Sequence, residues 1–176
     1  MNMLWFRYLL LSAISSITLM ITLFSYAKIS DNYKFKLNIK NIIVLIVSGI
    51  LITININANT GYSRALIGYL ITVINCYIVF SDDLNLTIIK GTFCYLLVSI
   101  SELILYVFLI ATKMFNLEII DRNLIVKFLF SIATVAIPYG LLSIKKINKV
   151  AKKLINNLNR PIITGIVFIL CLLSVA

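Results

Sequence analysis

Glu102 is the one charged residue inside the stretch Gly91–Thr112. A carboxylate at bilayer depth costs roughly 2–4 kcal/mol on insertion-based scales, so it faces the interior of a helix bundle or carries a proton. Ser15, Ser16, Ser48, Thr72, Asn75 and Thr134 stand at comparable depth in other apolar stretches. If they converge, they form a polar layer in which hydroxyls and an amide donate hydrogen bonds to Glu102. Two readings of the layer carry equal weight. Glu102, Asn75, Thr72 and Thr134 form an intramembrane switch or ligand-coupling element, or the same residues are interhelical glue worth about 0.6 kcal/mol per bond.

Other chemistry is scarce. Histidine is absent, which removes the commonest general base and metal ligand. Cys76, Cys94 and Cys171 fall inside apolar stretches without CxxC spacing, so they read as small apolar residues packed between helices. An intramembrane peptidase needs a nucleophile paired with a base, and no histidine is present to serve. Glu102 alone makes no metal site. The residues therefore nominate no catalytic group, no metal and no cofactor within this chain.

The elements that position these groups follow from composition. Of 176 residues, 61 % are hydrophobic and 12 % charged, with a mean hydropathy of +1.06. That leaves too little polar surface to clothe a soluble core, which makes soluble enzymes, nucleic-acid binders and disordered linkers poor readings. The apolar runs are unbroken instead of alternating, so they read as helices and not as barrel strands. We expect an all-α membrane protein, a polytopic bundle of about six transmembrane helices with short loops. The whole chain, 1–176, is one domain with spans near 4–27, 41–56, 65–81, 91–112, 124–144 and 161–176. Pro138 with Gly140 marks a kink in the fifth span. The first stretch is too long for a cleaved signal peptide. The last ends in mid-span at Leu172–Ala176 with no interfacial charge, so the natural chain is expected to continue.

The net charge is +10. Loops after spans one, three and five hold 11 Lys and Arg, Lys90 among them, against 5 on the other side. Because Lys and Arg concentrate in cytoplasmic loops, the amino terminus is expected outside a cell membrane. Lys145, Lys146, Lys149, Lys152 and Lys153 share one face of a helix, opposite Ile147, Val150, Ala151, Leu154 and Leu158. This basic amphipathic helix suits the surface of an anionic inner leaflet and serves at least as an orientation anchor; nucleic acid is a distant alternative. On the outer side, Asn59, Tyr62 and Arg64 in one turn and Lys113, Phe115 and Glu118 in another mix aromatic, apolar and charged groups. Singly, the aromatics read as interfacial belt residues. Together, the two loops are the best candidate ligand surface.

The segments KLNIKNIIVLIVSGILI, KGTFCYLLVSISELILYVFLI and KKINKVAKKLINNLNRPIITGIVFILCLLSVA, in that order, resemble the membrane sensor region of peptide-pheromone receptor histidine kinases of the accessory-gene-regulator C type (GHKL family). The likeness covers the chain as a pattern and rests on no diagnostic motif. It implies that an extracellular, often cyclic, peptide binds the outer loops of a homodimer. A bundle rearrangement then biases a cytoplasmic kinase that uses ATP and passes phosphate to a response regulator. The phosphoacceptor histidine and nucleotide-binding boxes of such kinases are not in this sequence, so no catalytic residue carries over. The alternative from the residues themselves is a small multi-pass transport subunit binding a solute near the bilayer midplane. A central cavity favours that alternative, and engagement from the outer face favours the receptor.

Overall fold

In lipid every backbone N–H and C=O must find its partner within the protein, so the apolar stretches close into helices. A computed structural model describes residues 2–30, 38–59, 61–112 and 123–157, leaving aside the side chains of 2–4, 61 and 62. Six helices occupy them: α1 (Asn2–Ile29), α2 (Ile39–Ala58), α3 (Gly61–Phe80), α4 (Leu84–Thr112), α5 (Leu124–Ser143) and α6 (Lys145–Asn157). Helices α1 to α5 are long and apolar enough to cross a membrane. The chain is thus a multi-pass, all-α membrane bundle. The expected span 161–176 and the third cysteine, Cys171, lie outside the described residues.

Asparagines set several helix ends. The Asn38 side chain accepts from the Asn41 N–H at 2.9 Å and opens α2. The Asn123 side chain accepts from the N–H groups of Ile125 and Val126 and opens α5. Each satisfies donors that a helix start leaves orphaned. Between α3 and α4 the chain turns through Ser81 at φ 54°, a left-handed value that breaks the helix at one residue. Helix α5 continues through Pro138, which is buried.

Helix α1 is the hub. It packs against every other helix, while α2, α3, α4 and α5 follow one another around it in an open arc. Within that arc α2 touches neither α4 nor α5, and α3 does not touch α5. The tightest approach is α1 on α2. A Cβ built on Gly49 would collide with the Ser16 hydroxyl and come within 2.7 Å of the Ser12 carbonyl, so only glycine lets the two backbones meet there. The Ser16 hydroxyl sits in the same contact, 2.9 Å from the Ser12 carbonyl of its own helix and 3.1 Å from the Leu45 carbonyl of α2, which share its proton.

The fully packed core occupies one end of the bundle. Leu19, Leu23, Tyr26 and Ile29 bring the last turns of α1 to it. Cys76 and Phe80 come from the end of α3, Ile89 and Cys94 from the start of α4, and Leu142 from the end of α5. We call this the packed end, and the opposite end, where α1 begins, the N-face.

The main difference from expectation lies in α4. The sequence suggests a span from about Gly91, with Lys90 in the preceding loop; the helix starts at Leu84 and encloses Lys90. The lysine is buried because Asp82 receives it at 3.1 Å. With 29 residues, α4 is about 43 Å long against a hydrocarbon layer of about 30 Å, so it tilts or projects. Its early start also moves Glu102 from the middle of the helix into its N-face half.

Candidate ligand cavity

At the N-face half the helices separate around a partly open cavity of about 270 Å³. All five long helices line it. From α1 come Ser15, Thr18, Thr22 and apolar neighbours; α2 adds Ile52, Thr53 and Asn57; α3 adds Arg64, Gly68 and Thr72. From α4 come Tyr95, Val98, Glu102 and Tyr106, residues three or four apart along one helix face, and α5 closes the ring with Lys127, Phe130, Ser131 and Thr134.

Glu102, Thr72 and Thr134 thus meet at one cavity, but without the hydrogen bonds expected between them. The Thr72 hydroxyl donates to the Gly68 carbonyl at 2.9 Å and the Thr134 hydroxyl to the Ser131 carbonyl at 2.7 Å. A hydroxyl in an apolar helix takes the nearest acceptor, the carbonyl one turn back, and has no second proton for the carboxylate. Asn75 stands apart from this group. Its side chain accepts from the Ser48 hydroxyl at 2.8 Å and donates to the Ile71 carbonyl, tying α3 to α2. Asn75 is therefore interhelical glue, and the other three are cavity wall.

The loop candidates divide in the same way. Arg64 lines the cavity from the first turn of α3, and its carbonyl accepts from the Asn55 side chain at 2.8 Å. Asn59 caps the end of α2 and donates from its side chain to Asn55 at 3.0 Å; it does not line the cavity. The Tyr62 side chain and the residues Lys113, Phe115 and Glu118 lie outside the described residues. Lys127, Tyr95 and Tyr106 enter the cavity wall although the sequence reading does not nominate them as site residues. Helical spacing from Glu102 was the one signal that could have nominated Tyr95 and Tyr106.

A second polar cluster, invisible in the sequence, closes the packed end. The Tyr26 hydroxyl donates to Asp82 Oδ2 at 2.7 Å. The Lys90 ammonium donates to the same oxygen at 3.1 Å and to the Ser30 hydroxyl at 2.8 Å. Tyr26 stacks on Phe80 with ring centroids 4.7 Å apart, and Lys90 stands 5.7 Å from the Tyr26 centroid. The side chains of Lys90 and Asp82 are only 10 % and 4 % exposed. This cluster staples the end of α1 to the α3–α4 turn and to α4.

Helix α6 follows α5 after a single residue and has three faces. Ala151 and Ile155 are buried against the bundle. Ile147, Val150 and Leu154 are exposed. Lys145, Lys146, Lys149 and Lys153 project from the remaining face, with Lys152 at its half-buried edge. The Asn148 side chain donates to the carbonyls of Lys28 and Leu142, both at 2.9 Å, locking α6 to the ends of α1 and α5. A helix that starts where a span ends, with one apolar and one basic face free, has the form of an interfacial helix.

No family model matches the chain, and neither a curated protein nor a solved structure matches it. Fold and cavity define a multi-pass helical membrane bundle, packed at one end and hollow at the other.

Proposed function

We propose that the chain is the membrane sensor domain of a signalling histidine kinase, detecting an extracellular peptide and passing the signal to a cytoplasmic kinase outside this sequence. The observation that carries this reading is the asymmetry of the bundle. A charged and aromatic cavity opens in the half that the Lys and Arg distribution assigns to the outside. The other half is held shut by a packed core and an ion cluster. A receptor needs to bind at one end without a passage to the other. Helix α1 reaches from the cavity wall to the ion cluster and to α6, so a ligand that prefers one arrangement of the N-face biases the packed end by its differential affinity.

The test uses the natural full-length gene product, reconstituted from its own membranes and supplied with the producing culture's peptide fraction on the outer face. Peptide-dependent autophosphorylation with ATP, transferable to a response regulator, is the expected result. A mature product of about 20 kDa, without a kinase region, would overturn it. One observation favours a second reading: all five long helices wall the cavity, as they would a solute site in a transport subunit. Uptake of a solute by proteoliposomes, abolished by bulky substitution at Gly68, distinguishes that case.

A further inference from the structure

We infer that the cavity takes an ammonium group on a small apolar body, and that on the receptor reading it admits the free amino end of the peptide. The hydroxyls decide its polarity. Those of Thr18, Thr22, Thr53, Thr72 and Thr134 donate to carbonyls of their own helices at 2.7–2.9 Å. Ser15 stands 3.3 Å from Thr53 and, since the Thr53 proton is committed, is the donor of that pair. A hydroxyl has one proton and two lone pairs, so what these groups offer the cavity is acceptors. The Glu102 carboxylate adds a charge of matching sense and makes no hydrogen bond or ion pair among the described residues.

The cations lie elsewhere in the wall. Arg64 and Lys127 stand in the first turns of α3 and α5, at the rim, where they suit the carbonyl oxygens of a peptide chain. An anion pushed past them would meet these lone pairs and a carboxylate, against the Ser131 hydroxyl and the Asn57 amide as side-chain donors in the wall. Leu11, Ile14, Ile52, Val98 and Phe130 supply the apolar wall. About 270 Å³ is at the small end of ligand pockets. It fits one terminal residue with its ammonium and leaves the rest of a peptide at the mouth.

The experiment compares three probes on the full chain in nanodiscs by ligand-observed saturation-transfer NMR: leucinamide, a cation; N-acetylleucinamide, neutral; and N-acetylleucine, an anion. We expect leucinamide to bind at least about tenfold more tightly than either acetylated form, the usual worth of a charge-assisted hydrogen bond. Glu102→Gln should erase that preference. Should that variant fail to fold, Thr72→Val with Thr134→Val tests the same point by removing two acceptors, and a several-fold loss of leucinamide alone is expected. Equal or tighter binding of N-acetylleucine, indifference of leucinamide to these substitutions, or no binding of any probe overturns the inference. Peptide-stimulated autophosphorylation is read separately, so the receptor reading stands or falls on its own result.

Discussion

Replacing Lys90 by methionine isolates the value of the ion cluster. The substitution keeps most of the length of the side chain but removes the ammonium, and with it the bonds to Asp82 at 3.1 Å and to Ser30 at 2.8 Å. Asp82 is then left buried with the Tyr26 hydroxyl as its single donor. Stripping one partner from a buried pair costs about 3–5 kcal/mol, mostly because the other charge stays desolvated. Asp82 belongs to the short turn between α3 and α4, near the membrane surface, so the loss should fall at the lower end, about 3 kcal/mol. Asp82→Asn combined with Lys90→Met removes the orphaned charge and should recover more than half of that loss, because a neutral amide still accepts from Tyr26. The assay is reversible unfolding in mixed micelles with increasing dodecyl sulfate, run as a double-mutant cycle. If Lys90→Met lies within about 0.5 kcal/mol of the wild type, the pair is solvated and the cluster does not hold the packed end together.

Four further outcomes are expected. Gly49→Ala should destabilise by about 1–3 kcal/mol, the usual range for overpacking. Ser16→Gly should restore only part of it, since the Ser12 carbonyl still obstructs the new Cβ; the same unfolding assay reads both. Ser48→Ala should cost about 0.6 kcal/mol and no more than about 1.7, because it removes the single 2.8 Å bond from α2 to Asn75. Glutamine at Lys145, Lys146, Lys149 and Lys153 together should reduce hydrogen-exchange protection of α6 in phosphatidylglycerol nanodiscs but not in phosphatidylcholine ones, each lysine contributing about 1 kcal/mol at an anionic surface. Equal protection in both lipids for the unaltered chain would show that α6 does not read lipid charge. Finally, a cysteine at Asn59 should react with an impermeant maleimide on intact cells, and one at Asn156 only after lysis; the reverse pattern inverts the orientation.

Much of the fold was legible because the bilayer leaves few choices. Long uncharged runs give spans; the caps at Asn38, Asn59 and Asn123 became visible only in the structure. Lys90 misled for a definite physical reason. A lysine after a short span reads as loop, whereas its acceptor lies 8 residues earlier and allows the helix to fold around it. The cavity was half legible. Glu102, Thr72 and Thr134 were visible as polar residues at depth, and the structure brings all three to one wall. That each threonine proton goes to its own backbone, leaving the carboxylate unaided, depends on local geometry that depth and residue type do not specify. Gly49 against Ser16 was hidden for another reason, since a contact between two helices is not a property of either one.

The hub position of α1 bears on how the protein is made. Helix α1 is synthesised first, yet the residues that lock its far end arrive later, Asp82 and Lys90 and then Asn148, whose tie to Lys28 joins positions 120 residues apart. Until then its buried face, with Ser15, Thr18, Thr22 and Ser25, waits in lipid or against an insertase. Thr18, Thr22 and Ser25 donate to carbonyls within the helix itself, so the polar stripe is nearly self-sufficient while it waits. The intrahelical bonds that give the cavity its acceptors also let the first helix wait for its partners with few exposed polar protons.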